Sequence, residues 1–271
     1  MPRAAVLGKP IAHSLSPVLH NAGYAALSLS DWEYTRFEVT AEELPRFLDE
    51  APEDFRGFSV TMPGKFAALE YASQCTERAE LIGSANTLVR IDDGWRADNT
   101  DTEGVLGALN ALSGDKTPHA ALLIGSGGTA RPALWGLAQR GVCDVTVLNR
   151  SDRMEELRPL AGALGITLHK ATFDDDLVAL TRAMDVIVST VPSAALEGRL
   201  FDLAHAPVFD VIYDPWPTPL TIHAAADGYA TVGGHVMLAH QSFSQFEQFT
   251  GHTAPREQMQ MALNEALGLN Q

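Results

Sequence analysis

Short stretches of two kinds follow one another along the first part of the chain. Some have the apolar run or two-residue alternation of a β-strand, and others have the wider apolar spacing that is typical of a helix. The pattern predicts strands over 3–7, 33–39, 58–61, 85–91 and 95–97. It predicts helices over 17–27, 41–50, 65–72 and 102–112. Ser16 is expected to cap the first helix, and Asp92-Asp93-Gly94 is expected to form a hairpin turn.

The pattern changes after residue 120, where the predicted strands are apolar throughout. They lie over 120–124, 144–148, 184–189 and 208–213. Helical segments separate them, and the predicted helices lie over 130–140, 236–249 and 255–267. Continuous apolar strands are typical of a parallel sheet that is covered on both faces. Because the polar segment 113–119 (SGDKTPH) separates the two patterns, the sequence predicts two α/β domains with a ligand cleft between them.

Composition narrows the possible classes of function. The chain has 271 residues, of which 46% are hydrophobic and 20% charged, as is ordinary for a soluble globular protein. Nineteen basic against 34 acidic residues give a net charge of −15. This balance argues against binding to nucleic acid or to an anionic membrane surface, because both need a basic footprint. An anionic ligand therefore has to be met by local positive groups.

Other features bear on location and metal content. Residues 1–8 lack the features of a signal peptide, and no apolar stretch approaches the roughly 18 residues of a membrane helix. Cys75 and Cys143 are expected to be free thiols, because they lie outside any Cys-x-x-Cys pattern. We therefore expect a cytoplasmic protein. No metal is expected, since metal-ligand spacing is missing among His13, His20, His235 and His240.

A glycine-rich segment follows the strand predicted over 120–124 and opens the next helix. It has the G-x-G-x-x-A form of the dinucleotide-binding fingerprint, in the strand-to-helix context that the fingerprint requires. Its glycines permit a tight turn and a close approach to a pyrophosphate, and the N–H groups at the helix start hold the phosphates. The residues expected to bind the dinucleotide are Gly125, Ser126, Gly127, Gly128, Thr129 and Ala130.

The end of the next strand discriminates between NAD and NADP. An NAD site usually has Asp or Glu there, which binds the ribose 2′-hydroxyl. This chain has Asn149, Arg150 and Ser151 instead, with Arg153 shortly after. Arginine matches phosphate oxygens bidentately, so a 2′-phosphate fits. We therefore expect NADP, although Asp152 between the two arginines weakens the signal slightly.

A second set of polar residues lies in the first part of the chain. Ser14 and Ser16 stand at a predicted helix start, where a carboxylate is favoured. Three more segments carry candidate side chains: 59–65 (SVTMPGK), 83–87 (GSANT) and 98–101 (DNTD). Taken singly, each of these side chains is more simply explained as a helix cap or an exposed polar group.

Together these segments resemble the shikimate dehydrogenase family. The resemblance runs in order from Gly8-Lys9-Pro10 to the region 233–251 and covers nearly the whole chain. It implies a substrate-binding α/β domain over 1–103 plus 236–271 and a Rossmann-type NADP-binding domain over 104–235. It also implies an oxidoreductase that reversibly reduces 3-dehydroshikimate to shikimate with NADPH, a step of aromatic amino-acid biosynthesis through chorismate.

The resemblance also implies roles for individual residues. Lys65 matches the catalytic lysine, and Asp101 matches an acid that binds ring hydroxyls and that we expect to move the proton with Lys65. The residues that match substrate-binding positions are Ser14, Ser16, Ser59, Thr61, Asn86, Tyr213 and Gln241. Those that match cofactor contacts further along the chain are Thr190, Gly234 and Met237.

Residue chemistry supports a proton-transfer role for this pair. Ketone reduction needs a hydride on carbon and a proton on the emerging oxygen, and a lysine ammonium carries protons. A free lysine holds its proton tightly at neutral pH; desolvation favours release, and a nearby carboxylate opposes it. Asp101 therefore either orients Lys65 and the substrate or joins the proton relay itself, and the sequence leaves both open.

Departures from the family pattern and alternative functions also stay open. Ser59 stands where many relatives have Asn, so one hydrogen bond to the substrate is expected to be shortened or water-mediated. Gly64 stands where relatives often have a bulkier residue, and this change would make the position of Lys65 less fixed. Ser14 and Ser16, where a Ser/Thr pair would otherwise stand, and Arg150 disfavour an NAD-dependent quinate/shikimate dehydrogenase. An aminoshikimate pathway enzyme is a further alternative, which only rates with a panel of substrates would exclude. The intact Lys65 and Asp101 disfavour a non-catalytic NADP-binding sensor. Either a monomer or a homodimer is compatible with the sequence.

Overall fold

The computed structural model describes residues 1–150 and 153–269. The chain divides into two units: unit 1 comprises Met1–Asp101 and Leu238–Gln271, and unit 2 comprises Thr102–Met237. Each unit contains its own six-stranded sheet with helices. The predicted fold class, two α/β domains, is confirmed. The domain boundaries expected from the sequence fall two residues from the unit boundaries on either side of unit 2.

Every strand and helix named from the sequence pattern is present, with ends that shift by up to three residues. The strands are β1 (Arg3–Gly8), β2 (Glu33–Glu38), β3 (Phe55–Val60), β4 (Gln74–Cys75), β5 (Thr87–Ile91), β6 (Gly94–Asp98), β7 (Ala120–Ile124), β8 (Asp144–Leu148), β9 (Thr167–Ala171), β10 (Val186–Ser189), β11 (Val208–Asp210) and β12 (Thr231–Gly233). The helices are α1 (Ser16–Ala26), α2 (Leu44–Asp49), α3 (Lys65–Tyr71), α4 (Glu77–Ile82), α5 (Asp101–Ser113), α6 (Ala130–Gln139), α7 (Arg158–Leu164), α8 (Leu177–Arg182), α9 (Leu200–Leu203), α10 (Pro219–Ala226), α11 (Gly234–Thr250) and α12 (Arg256–Ala266).

The sheet of unit 1 is mixed, with the order β2-β1-β3-β5-β6-β4. Strand β1 is parallel to both of its neighbours, whereas β5 is antiparallel to β3 and to β6. Ile91 pairs with Gly94 across the predicted Asp92-Asp93 hairpin turn, which confirms that turn. The carboxyl ends of β1 and β3 lie at one edge of the sheet, and the segments that carry Ser14 and Thr61 follow from there.

Neighbouring residues of β3 point to opposite faces of this sheet. The Phe58 ring packs against Phe47 of α2 and Trp95 of β6, in the apolar core on one face. Gly57 lies under Phe249 of α11 on the other face, where an added Cβ would come within 2.1 Å of the Phe249 ring. Helix α11 therefore packs on β3 at a position that only a glycine permits.

The expected cap of α1 is wrong. The helix begins at Ser16 and the residue before it is Leu15, so Ser16 occupies the first helical position rather than the cap. The hydroxyl of Ser14 lies 3.4 Å from the Ser16 backbone nitrogen and accepts its hydrogen bond. Ser14 thus provides the oxygen that a capping side chain would provide, two residues before the helical N–H that it binds.

The sheet of unit 2 is parallel throughout, with the order β12-β11-β10-β7-β8-β9. Counted from the first strand of this unit, that is the 3-2-1-4-5-6 order of the Rossmann fold. The strand order reverses between β7 and β10, and ligands of such sheets bind outside the carboxyl ends of the strands at that point. Two separate apolar cores cover its two faces, as the continuous apolar strands predict.

The described residues contain neither a membrane-spanning helix nor a cluster of metal ligands. Over 1–150 and 153–269, no helix is long and apolar enough to cross a membrane. Among the same residues, no group of three or more His, Cys, Asp and Glu side chains could hold a metal ion.

Candidate active site

Lys65 and Asp101 form an ion pair inside unit 1. Lys65 is the first residue of α3 and Asp101 the first residue of α5, and Nζ of Lys65 lies 2.6 Å from Oδ2 of Asp101. The side chain of Asp101 is only 3% exposed and that of Lys65 is 16% exposed, so the pair is largely shielded from water. Charge-assisted hydrogen bonds of this length are stronger than neutral ones, and the low exposure reduces screening.

Asn86 connects this ion pair to Gln241. Its Nδ2 donates to Oδ1 of Asp101 at 3.0 Å and to Oε1 of Gln241 at 2.8 Å. Its Oδ1 accepts from the backbone N–H of Thr100 at 2.7 Å. Because a backbone N–H can only donate, this last bond determines which end of the Asn86 amide is oxygen. Nδ2 of Asn86 therefore faces the carboxylate, and Gln241 is left with its Nε2 to donate to a ligand.

Ser14 and Ser16 stand together at the start of α1. Both are buried, with their hydroxyl oxygens 3.3 Å apart. The helix carries the partial positive charge of its N-terminus at this point, which favours an anion beside the two hydroxyls. Thr61 is half-buried and follows β3, where its backbone N–H donates to the Leu7 carbonyl.

The hydroxyl of Ser59 is engaged within the protein. It accepts from the Tyr34 hydroxyl at 2.6 Å and donates to Oε1 of Gln245 at 2.8 Å. Burial raises the pKa of Tyr34, and the nearby hydroxyls of Ser59 and Ser16 oppose that rise. The Tyr34 hydroxyl therefore keeps its proton at neutral pH and acts as a donor.

A buried carboxylate supports the segment that precedes Asp101. Asp98 accepts from the Arg78 guanidinium, the Thr76 hydroxyl, Gln248 Nε2 and the backbone N–H of Asn99. Burial alone would raise the pKa of Asp98, but the bonds from Arg78, Thr76 and Gln248 outweigh it and hold the pKa at about 2. Asp98 is therefore a charged anchor for the turn between β6 and α5.

The glycine-rich loop of unit 2 lies between β7 and α6. Gly125 has a φ of +101°, which L side chains rarely adopt, and an added Cβ would lie 2.6 Å from Oγ1 of Thr190. Thr190 follows β10 and donates from Oγ1 to the Ile124 carbonyl at 2.8 Å. The loop is thus held at the point where the strand order reverses. Among residues 1–150 and 153–269, nothing lies within 4 Å of where Cβ atoms would stand on Gly127 and Gly128, so the loop has open space for a phosphate group.

The two arginines after β8 differ in their surroundings. Asn149 donates from Nδ2 to the Ser126 hydroxyl, and its Oδ1 accepts from the Arg150 backbone N–H. Arg150 is exposed, and among the described residues its guanidinium has no hydrogen-bond partner. Arg153 makes two hydrogen bonds of 2.7 Å to Glu156, so its guanidinium is already occupied by a carboxylate. The predicted cofactor residue Ser151 lies outside the described residues.

The remaining predicted site residues lie elsewhere in unit 2. Tyr213 follows β11 and is half-buried; burial raises its pKa, and the charge of Asp214 raises it further. Gly234 begins α11 with its backbone N–H bonded to the Ile212 carbonyl, and an added Cβ would lie 1.9 Å from the Val211 carbonyl oxygen. Met237 is buried in the apolar core of this unit.

The structure brings together some predicted residues and adds others. Lys65, Asp101, Asn86 and Gln241 form one hydrogen-bonded group in unit 1. Other residues that support this group, and that were not among the predicted site residues, are Tyr34, Thr87, Thr100 and Gln245. An ammonium beside a carboxylate, flanked by amides, can bind adjacent hydroxyl groups and transfer a proton to an oxygen.

Comparison with known proteins identifies the family of the chain. The family model for the shikimate dehydrogenase substrate binding domain matches residues 6–88, and that for the shikimate 5′-dehydrogenase C-terminal domain matches residues 234–263. A shikimate dehydrogenase (NADP(+)) of Methylobacterium radiotolerans is 39% identical in an alignment of 264 positions, which covers 92% of this chain and 92% of that protein. The chain belongs to the shikimate dehydrogenase family. The family predicted from the sequence is therefore confirmed.

Solved structures of shikimate dehydrogenases match along almost the entire chain. The Mycobacterium tuberculosis enzyme is 49% identical with a TM-score of 0.92, covering 98% of this chain and 100% of its own. A Thermus thermophilus enzyme, solved in complex with NADP(H) and shikimate, is 30% identical with a TM-score of 0.82 and covers 98% of this chain and 100% of its own. The fold of unit 1 and that of unit 2 are thus those of the family.

Proposed function

We propose that this chain is an NADP-dependent shikimate dehydrogenase, which reversibly reduces 3-dehydroshikimate to shikimate in aromatic amino-acid biosynthesis. The observation that carries the proposal is the group formed by Lys65, Asp101, Asn86 and Gln241. It stands in a chain whose relatives are named shikimate dehydrogenase (NADP(+)). A structural ion pair alone would not need an amide on its carboxylate that also bonds a second amide, as Asn86 bonds both Asp101 and Gln241.

The substrate is a small anionic polyol, and unit 1 supplies groups for both of its features. We assign its carboxylate to the hydroxyls of Ser14 and Ser16 at the start of α1, where the helix terminus favours negative charge. We assign its ring hydroxyls to Asn86, Asp101, Gln241 and Thr61. A buried site that hydrogen-bonds hydroxyls discriminates strongly against analogues that lack them, because its polar groups are then left unpaired.

The reduction places a proton on the carbonyl oxygen of the substrate. We assign this proton to Nζ of Lys65, and the same amine takes the hydroxyl proton in the reverse reaction. Asp101 uses one carboxylate oxygen for Lys65 and the other for Asn86. This division supports an orienting role, since both oxygens already hold groups that face the substrate. Tyr213 is assigned to the substrate as the resemblance implies.

The cofactor assignment depends on the loop after β7 and on Arg150. Bound NADPH would supply the hydride that reduces the carbonyl carbon. The open space over Gly127 and Gly128 and the N-terminus of α6 fit a pyrophosphate. Arg150, together with Phe173, Val191 and Pro192, lines a small pocket beside Asn149. We assign this pocket to the adenosine end of NADP, where Arg150 would meet the ribose 2′-phosphate. Thr190, Gly234 and Met237 remain assigned to the cofactor.

The function is tested by a matrix of steady-state rates. The purified chain is mixed with shikimate or quinate and with NADP or NAD, and formation of the reduced nicotinamide is followed by absorbance. We expect the highest kcat/KM for shikimate with NADP. A higher value with NAD or with quinate would overturn the cofactor or the substrate assignment, and no turnover from pH 7 to pH 10 would leave only a nucleotide-binding role. A cytoplasmic location and a monomeric or homodimeric state remain predictions.

A further inference from the structure

Gln245 is a buried amide one helical turn beyond Gln241 on α11. It is 2% exposed, and a buried amide is stable only when its donors and its acceptor are paired. Its Nε2 donates to the Asn86 carbonyl at 3.2 Å and to the Thr87 hydroxyl at 3.0 Å. Its Oε1 accepts from Ser59 at 2.8 Å. Each group of this amide is therefore used, and two of its bonds reach Asn86 or its neighbour.

Chemistry determines the direction of the hydrogen bonds that Gln245 makes. The Asn86 carbonyl can only accept, so Nε2 of Gln245 must face it and Oε1 must face Ser59. Ser59 then donates its single hydroxyl hydrogen to Gln245 and accepts from Tyr34. The Thr87 hydroxyl accepts from Gln245 and can donate to Oδ1 of Asn86 at 2.9 Å. A chain of hydrogen bonds thus runs from the Tyr34 hydroxyl through Ser59, Gln245 and Thr87 to the side chain of Asn86.

The spacing of α11 matches that of β3 along this line. Phe249 packs over Gly57, and Gln245 binds Ser59, so four residues of the helix correspond to two residues of the strand. Four helical residues rise about 6 Å and two strand residues about 6.7 Å, so every fourth residue of α11 lies beside every second residue of β3. One further step places Gln241 level with Thr61, and both belong to the proposed substrate site.

We propose that Gln245 is a positioning residue for the substrate, an inference that rests on the function proposed above. It ties α11 to the ends of β3 and β5, so that Gln241 and Asn86 present their amides to the ring hydroxyls. Ser59 acts through Gln245, because its only hydroxyl hydrogen is committed to that side chain. The small size of Ser59 leaves room for the glutamine amide between the strand and the helix.

The proposal is tested with Gln245→Leu, which keeps the volume of the side chain but removes its three hydrogen bonds. The matched control is Gln260→Leu on α12, because the Gln260 side chain donates to Asn264 of the same helix and neither residue belongs to the proposed substrate site. Shikimate affinity is measured by calorimetry without cofactor, and KM for shikimate and KM for NADP are measured separately. Circular dichroism and Tm report whether each variant folds.

We expect Gln245→Leu to weaken shikimate binding and raise the shikimate KM by about tenfold or more, with KM for NADP unchanged. Gln260→Leu should stay within about threefold of the native protein in both shikimate affinity and KM. Equal shikimate affinity in the two variants would overturn the proposal. If Gln245→Leu does not fold, shikimate affinity is measured in Ser59→Ala instead. Weaker binding in that variant supports the proposal, and native affinity overturns it. A native protein that binds shikimate but does not turn it over would contradict the proposed function alone, since affinity still tests Gln245.

Discussion

Asp101 uses its two carboxylate oxygens for two different partners: Oδ2 lies 2.6 Å from Nζ of Lys65, and Oδ1 accepts from Asn86 at 3.0 Å. The carboxylate therefore holds the ammonium and the amide at a fixed separation. A substrate hydroxyl or carbonyl that reaches Lys65 therefore meets an ammonium and an amide whose positions Asp101 already determines. Such preorganisation lowers the cost of arranging donors around the reacting oxygen.

Asp101→Asn tests this arrangement. The variant has nearly the same shape, but its amide nitrogen must face either Lys65 or Asn86, and both of those are donors. We expect kcat/KM for shikimate to fall by about 100-fold or more, with a raised KM as well as a reduced kcat. A fall in kcat alone, with shikimate affinity unchanged, would favour Asp101 as a member of the proton relay instead.

The strands and the glycine loop could be predicted because their signals are local. Continuous apolar runs indicate buried parallel strands, and Asp92-Asp93-Gly94 indicates a hairpin. Strand β4 has only two residues and depends on pairing with β6, so it carries no periodic signal of its own. The short helices α4 and α7 to α10 and the strands β9 and β12 were missed because each has eight residues or fewer, too few to establish a period.

The polar network of unit 1 could be predicted only in part. Family resemblance indicates Lys65, Asp101, Asn86 and Gln241, but nothing local distinguishes Gln245 or Tyr34 from ordinary helix and strand residues. Their partners lie far away in sequence, and a pattern along the chain does not show which distant side chains meet. The cap expected at Ser16 was wrong for a related reason: Ser14 supplies that oxygen, and its position depends on how the loop folds.

Gly57→Ala is expected to disturb the seating of α11 on β3. The added Cβ would lie 2.1 Å from the Phe249 ring and 3.0 Å from the Leu88 carbonyl, so the helix would have to move. We expect a loss of about 1 to 3 kcal/mol in stability, together with weaker shikimate binding. Gly162→Ala in α7 is the control, because its Cβ would meet nothing within 4 Å in the part of the chain that the structure describes; this variant should be neutral or slightly stabilising. An equal or higher Tm for Gly57→Ala would contradict the packing described.

Asp210→Asn should change how stability depends on pH. Burial raises the pKa of Asp210 to about 6, although the Thr218 hydroxyl and the Ile212 N–H hydrogen-bond to it. The folded state therefore binds a proton more tightly than the unfolded state, whose Asp pKa is about 3.9. By linkage, this group makes the protein less stable as pH rises from about 4 to above 6.

In the Asn variant this carboxylate is replaced by a neutral amide, and the Thr218 hydroxyl can reverse because it also meets Thr221. The variant should gain about 2 kcal/mol over the native protein at pH 8, and the gain should vanish near pH 4. Urea unfolding at both pH values measures this. If the variant is less stable than the native protein at pH 8, the folded state favours the charged carboxylate of Asp210, against this prediction.

Arg150→Ala and Arg153→Ala separate the two candidate phosphate ligands. The Arg150 guanidinium is exposed and available, whereas that of Arg153 makes two hydrogen bonds to Glu156. We expect Arg150→Ala to raise KM for NADP by about 10-fold or more without raising KM for NAD. Arg153→Ala should raise KM for NADP less. The reverse order of effects on KM for NADP would assign the 2′-phosphate to Arg153.

The most direct test of the account is the steady-state rate of shikimate oxidation by NADP in the native protein and in Lys65→Ala. If Lys65 exchanges the proton with the reacting oxygen, kcat should fall by about 100-fold or more while KM for shikimate changes little. Circular dichroism of the variant checks that unit 1 still folds. An unchanged kcat in a folded Lys65→Ala protein would contradict the account, because the Lys65–Asp101 pair would then have only a structural role.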